Sequence, residues 1–472
     1  METPRKWPHS GLHPASGFFL AAFFIAALFF VPSAGAVPSF SRQTGFPCSS
    51  CHTTPPELTP LGRIFKLGGY TLAGTGMNKI EKQRQGKQTG LELLATLPLS
   101  VFFETSFTST NKAQPGQQNG SYEFPQDVSL FLAGEWSTHV GSFVQLTYDT
   151  QDDHFSWDNT DIRYANSGKV LGKDLIYGIT LNNNPTVEDV WNSTPAFGFP
   201  FINSDFAPGP SAAALVNGTL GQDVAGIGAY GLWDNHFYLD ATMYRSEHVG
   251  AAQPFDGVGF PINIQGVAPY WRGAYQDTIG NNYLEIGTYG MHVKSAPNAV
   301  TASLAGALDS YTDVAGDLQY DRTIPQLNND IVSVRATFIH ENSALNGTSL
   351  QGGADLIPHH LNTTQAHVRY HHGNRYEGTF GWFSTTGTAD FTLFNPDLPG
   401  PGQPTPLTGS ATGSPNSDGY ILNASWWPAQ NIQLAAQYTG YLKFNGAKND
   451  YDGAGRNASD NNTLYLLARF VF

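Results

Sequence analysis

Charge is scarce in this chain. Only 13% of its 472 residues are Asp, Glu, Lys or Arg, about half the share usual in soluble proteins. Length alone suggests about three ordinary domains, but so little charge argues against them. Apolar residues are also modest at 40%. Beyond the N-terminus no apolar run approaches the roughly 20 residues of a membrane helix. Cysteine is nearly missing, with two in the whole chain. The net charge of −14 leaves little reason for a nucleic-acid partner. What is plentiful is Gly (51 residues) and aromatic side chains (13%). A long, weakly charged, aromatic-rich chain without membrane helices fits a transmembrane β-barrel, in which alternation keeps the mean hydropathy low.

The two cysteines stand in one short motif, Cys48-Ser49-Ser50-Cys51-His52. The spacing C-x-x-C-H is that of a c-type haem attachment site. Two thiols three positions apart each form a thioether to one edge of the porphyrin, and the histidine ligates the iron from the proximal side. A zinc site needs further Cys or His close by, yet the next histidine is His139. A thioredoxin-like pair needs a βαβ surround, which the flanks Thr44-Gly45-Phe46-Pro47 and Thr53-Thr54-Pro55-Pro56 do not suggest. One covalently bound haem c is therefore expected, held by Cys48, Cys51 and His52.

Residues 1–36 read as a secretory signal. Arg5 and Lys6 supply the positive start, Phe18 to Val31 the apolar stretch, and Ala34-Gly35-Ala36 the cleavage site. Residues 37–88 form the haem segment. Within it Thr59, Pro60 and Gly68 bracket a short helix as N-cap, first residue and stop. Its stripe of Leu61, Ile64, Phe65 and Leu67 is an expected cover for the ring, and Arg63 and Lys66 either pair with haem propionates or form a solvated face. Residues 79–90 are polar and read as a linker.

Residues 91–472 change to alternating segments. In the clearest, Ile432, Leu434, Ala436, Tyr438, Gly440, Leu442 and Phe444 share one face, opposite Gln433, Gln437, Thr439 and Lys443. Trp426 and Trp427 stand beside the preceding turn, where an interfacial aromatic girdle belongs. Short turns are expected at 138–141, 234–235, 373–374 and 428–430. Long Gly/Pro/Asn/Ser loops are expected at about 183–221, 246–281, 341–362, 387–417 and 445–460. The count is sixteen strands, starting near 91, 127, 142, 159, 173, 222, 236, 282, 299, 315, 330, 363, 375, 418, 431 and 462. The last carries Leu464, Leu466, Ala468, Phe470 and Phe472 on one face and ends on an aromatic residue, like the terminal strand signal of Gram-negative barrels. The fold class is thus an all-β, antiparallel outer-membrane barrel with a small, partly helical N-terminal haem segment.

The residues 38–45 (PSFSRQTG), 56–63 (PELTPLGR) with Phe65-Lys66-Leu67, and 182–195 (NNNPTVEDVWNSTP) resemble the fused monohaem cytochrome–porins of the outer membrane. That resemblance implies an Fe(II) oxidase. The expected path runs from extracellular Fe(II), through one haem in the barrel, to a periplasmic c-type cytochrome or another soluble carrier. An outward conduit to an external acceptor, or a solute porin with a haem-bearing plug, are the alternatives. Met77 is the expected second iron ligand, since His/Met ligation raises the potential. The alternatives to it are His248, His292 and His371.

Overall fold

The computed structural model of the chain describes residues 38–74 and 97–472, except 116–117, 151–153, 195–196, 198, 200–201, 248–262, 298–306 and 396–407. The expected signal, the expected linker, Met77 and His248 lie outside the described residues.

From Leu99 onward strands dominate. They are β1 (Leu99–Thr110), β2 (Ser121–Glu123), β3 (Asp127–Ser137), β4 (Val140–Asp149), β5 (His154–Val170) and β6 (Lys173–Asn182). Then come β7 (Val224–Trp233), β8 (Phe237–Ser246), β9 (Asn263–Ile264), β10 (Ala268–Ile279), β11 (Asn282–Ala296) and β12 (Asp309–Ile324). The last six are β13 (Asp330–Leu345), β14 (Pro358–His372), β15 (Tyr376–Gly387), β16 (Ser417–Ala429), β17 (Ile432–Lys443) and β18 (Thr463–Val471). Neighbours pair antiparallel, and β1 pairs with both β3 and β18, so the sheet closes on itself. The result is a sixteen-stave barrel, because β2 prolongs β3 along β1 and β9 prolongs β10 along β11.

Connections alternate between short and long. One end carries tight turns such as Asp234-Asn235, where both residues adopt the left-handed conformation (φ 52° and 58°) that a type I′ hairpin demands. Long segments, including 183–223 and 388–416, connect strands at the other end.

The expected strand count holds, but its members differ. Residues 268–279, placed in a loop, form β10. Its outward face carries Pro269 and Gly273 and its inward face Arg272, so neither face shows a simple apolar alternation. Conversely, the strand expected to start near 315 starts at Asp309 as β12, and the start expected near 299 lies outside the described residues. The first strand begins at Leu99 rather than near 91. The loop expected at 341–362 shrinks because β13 runs on to Leu345 and β14 starts at Pro358.

Strand faces are inverted relative to a soluble protein. On β8, Leu239 and Met243 point outward and are 68% and 49% exposed. The intervening Tyr238, Asp240, Thr242 and Tyr244 face inward and are buried. On β18, Leu464 and Leu466 lie outside, while Tyr465 and Leu467 lie inside. A closed wall with its apolar side out and its strands paired on both sides is made for a bilayer. This is the architecture of the Gram-negative outer membrane, with lipid as its surround.

Candidate functional site

The barrel interior holds two segments. The first, residues 38–74, contains the helices α1 (Ser39–Thr44), α2 (Cys48–Cys51) and α3 (Pro60–Leu67). The second is the start of the 183–223 connection, which turns into the lumen instead of away from it. Ser39 ties α1 to the wall, its Oγ donating to Ala133 O (2.6 Å) and its N–H to Ser100 Oγ (2.7 Å). The α3 helix begins as the sequence suggests, with Thr59 Oγ1 accepting from Gly62 N and Pro60 in the first turn. Gly62 allows α3 to lie against α2, since a Cβ there would sit 2.2 Å from Cys51 O. Leu58 N donates to Trp191 O (3.1 Å), and Asn192 Nδ2 to Pro56 O (3.0 Å). The two inner segments are thus stitched to each other as well as to the wall.

Cys48 and Cys51 lie on the single turn of α2, half-buried and with free thiols. Cys48 N donates to Gln430 Oε1 (3.2 Å), which hangs α2 on the β16–β17 turn. Beside the motif opens a cleft of about 380 Å³, lined by Cys48, His52, His371, Arg375, Trp427 and Gln430 among others. Its walls belong to the turns between β12 and β13, β14 and β15, and β16 and β17, so it lies at the short-turn end. His52 Nδ1 is shut off from solvent without a hydrogen-bond partner. Burial lowers the His52 pKa, against the carbonyls of Glu57 and Pro56, and so favours the neutral imidazole. Burial also pushes the thiols up, Cys51 to about 11. Thiol-exchange pairs show the opposite, a depressed pKa.

Several expected site residues are placed elsewhere. Lys66 is fully enclosed, and its Nζ donates to Val187 O, Asp189 O and Asn192 Oδ1, each at 2.7 Å. Burial, with Arg163 nearby, pulls its pKa down to about 7. It holds the inner loop and has no donor left for a propionate. Arg63 is buried over the Tyr283 ring (4.2 Å), donates to Leu58 O, and borders a different cleft together with Trp191, Asp234 and His236. The Ile64, Phe65 and Leu67 stripe likewise packs against Trp191, Tyr70 and Phe40 rather than the thiol cleft. The cation on that cleft is Arg375, which sequence reading missed because it belongs to an unremarkable turn. Trp427 also lines the cleft, whereas Trp426 keeps the outward place expected of a girdle residue. His292 is on the outward side of β11, bonded to Thr312 Oγ1 (2.8 Å).

Ion pairs bind the inner segments to the wall. Arg163 bridges Asp161 (2.7 Å) on the wall and Glu188 (3.2 Å) on the inner loop, and Arg272 joins Asp189 of the inner loop (3.5 Å) to Asp317 (2.7 Å) and Glu285 (3.3 Å) of the wall. Tyr70 donates to Asp161 Oδ2 (2.5 Å). Five residues past the motif, Glu57 is met by Arg369 (2.9 Å), His367 (3.2 Å) and Arg335 (3.3 Å). Burial pushes the Glu57 carboxyl up, but Arg369 and Arg335 outweigh it and hold the group well below the usual carboxylate range. Glu57→Gln leaves two buried guanidinium groups short of a countercharge, a loss of about 3–5 kcal/mol. Calorimetry in detergent is expected to show a lower unfolding temperature for this variant. A group with a depressed pKa contributes stability above its unfolded value, and that contribution is lost as pH falls through the folded value. The gap between wild type and variant should therefore be constant above about pH 4.5 and close only in stronger acid. An equal gap at every pH would count against the role given to Glu57.

At the opposite, long-loop end the carboxylates of Asp127, Asp149 and Asp205 come within 4.8 Å of one another. Burial and the neighbouring Glu123 and Asp149 push Asp205 up to about 7. The three lie far apart in sequence, so no local pattern announces them.

No family model and no curated protein matches the chain. Among solved structures it is similar to OmpT, an outer-membrane protein of Vibrio cholerae, at 12% identity and a TM-score of 0.41, over 80% of this chain and 97% of that one. It is also similar to the outer-membrane channel DcaP of Acinetobacter baumannii, at 11% identity and a TM-score of 0.44, over 79% and 96%. The likeness to OprB of Pseudomonas putida has 10% identity and a TM-score of 0.46, over 79% and 94%.

Proposed function

We propose that this barrel is a cytochrome–porin that moves single electrons across the outer membrane, from extracellular Fe(II) to a periplasmic carrier. The observation that supports it is the cleft at the short-turn end, lined by Cys48 and His52, with Cys51 on the same helical turn as Cys48. The group these residues fit is a haem c. Cys48 and Cys51 supply the two thioether sulfurs, and burial favours the neutral imidazole of His52, the form in which histidine ligates a metal. Bound there, haem c supplies one reversibly held electron at iron.

The chain's own residues do the rest. Gln430 and Gly62 fix α2 at the mouth, and Arg375 offers a cation to the cleft in place of Arg63 and Lys66. Short turns face the periplasm in barrels of this kind, so the cleft opens toward soluble carriers such as a c-type cytochrome. The donor gives up one electron as Fe(II) becomes Fe(III), and the carrier takes up that one electron. Among the described residues side chains pack across the interior: Trp191 Nε1 donates to Tyr283 OH, and Arg272 lies over the rings of Trp191 and Tyr289. Solute passage through a plugged porin is the second reading, favoured by the barrel class; the packed interior weighs against it. An outward conduit uses the same parts in reverse.

Denaturing gels of the exported protein should show haem peroxidase stain at the full-length band, absent in Cys48→Ala/Cys51→Ala. Whole cells should show haem reduction on addition of Fe(II), and an assembled His52→Ala barrel should not. Stain that survives loss of both thiols sinks the covalent assignment. Haem that ignores external Fe(II), yet accepts electrons from a periplasmic donor and passes them to an external acceptor, reverses the direction.

A further inference from the structure

We propose that His371 is the second axial ligand, so that the iron is held between two histidines, His52 and His371. The inference rests on the haem reading above and names what that reading leaves open. His371 and His52 line the same cleft as Cys48. The His371 ring is buried, and its Nε2 has no hydrogen-bond partner. A buried ring nitrogen without a partner has lost its water and gained no hydrogen bond in return. A metal ion facing it removes that loss.

The other ring nitrogen is oriented as a ligand histidine requires. His371 Nδ1 lies 3.6 Å from Glu377 Oε2 and 3.4 Å from Thr54 Oγ1. Thr54 also donates to Glu377. A carboxylate and hydroxyl on this side favour the Nδ1–H tautomer and leave the Nε2 lone pair free for iron, the arrangement of outer-shell carboxylates behind metal-bound imidazoles. Thr54 lies two residues after His52, so one short segment carries the proximal ligand and positions the distal one. Rigidity comes from β14, where His371 is paired with Ile331 on one side and Glu377 on the other.

The other described histidines are committed elsewhere. His367 binds Glu57 and stacks on Phe199, with ring centroids 5.4 Å apart. His359 pairs with Asp390 and the exposed His372 with Asp330. Two imidazoles also place the potential below that of the His/Met pair expected from Met77.

Wild-type protein with its haem should be low-spin in both oxidation states. Near-infrared magnetic circular dichroism should place its charge-transfer band at a bis-imidazole position. His371→Ala should keep the haem stain and the heat-modifiable barrel, become high-spin, bind carbon monoxide when reduced, and recover the low-spin spectrum with added imidazole. His371→Met should stay low-spin with a raised potential. A wild-type spectrum of methionine ligation, or a His371→Ala spectrum unchanged from wild type, overturns the assignment. Should His371→Ala fail to assemble, the wild-type band position alone decides between the two ligand sets. Absence of any haem stain in the wild type defeats the parent reading instead, and a stained but high-spin wild type defeats only the second ligand.

Discussion

Removing residues 463–472 is expected to abolish the folded barrel. In the intact chain β18 closes the sheet: Thr463 to Val471 pair with Thr110 to Phe102 of β1, and Thr463 to Phe470 pair with Thr439 to Ile432 of β17. Without β18 both neighbours present a row of bare N–H and C=O groups at membrane depth, each costing several kcal/mol in hydrocarbon. The loss also takes Arg469 from Glu104 and Tyr465 from Gln126 on the inner wall. No local rearrangement replaces that many bonds, so the variant should be missing from the outer-membrane fraction. It should also lack the band that resists SDS until heated. A truncated chain that still migrates as a compact species before heating would show that β18 does not close the wall.

How far this arrangement can be read in advance depends on how local the signal is. β17 and β18 are plain in the sequence because each outward residue is apolar and each tight turn carries a residue suited to it. β10 is not, because its inward Arg272 finds Asp317 and Glu285 only on strands that come later in the chain. The same holds for Lys66 and Arg63. As isolated cations on a short helix they suggest a surface pair with propionates; in the folded barrel the first binds a loop more than a hundred residues away. The 182–195 stretch reads as a surface loop from its Asn and Pro content. Its Val187, Val190 and Trp191, all buried, were the hint that it turns inward. The motif at Cys48 is local chemistry and needs no fold to be recognised. Its cleft is non-local, assembled from three turns that the topology brings to one mouth.

The inward course of that loop leads to the second large effect: purified barrels reconstituted in planar bilayers should pass almost no ionic current. An empty sixteen-stranded barrel leaves an aqueous channel. Here Arg163 and Arg272 on the inner wall and Trp191 on the inner loop are essentially solvent-free. The N-terminal segment and the inner loop account for this. Tyr70 meets Asp161, Tyr230 OH donates to Leu67 O (2.7 Å), and Tyr238 OH donates to Glu188 O (2.8 Å). These bonds tie plug and loop each to the wall, and Lys66 ties plug to loop, so neither element can swing aside alone without exposing buried charge. Two substitutions together test the lock. Lys66→Ala frees the loop from α3, and Glu57→Ala unseats the segment from Arg335 and Arg369. Open steps of porin size should appear in the double variant and stay rare in either single one, provided its barrel remains heat-modifiable. Large steady conductance in the wild type would mean that solute passes the plug, and the plugged-porin reading would then displace electron transfer as the account of this protein.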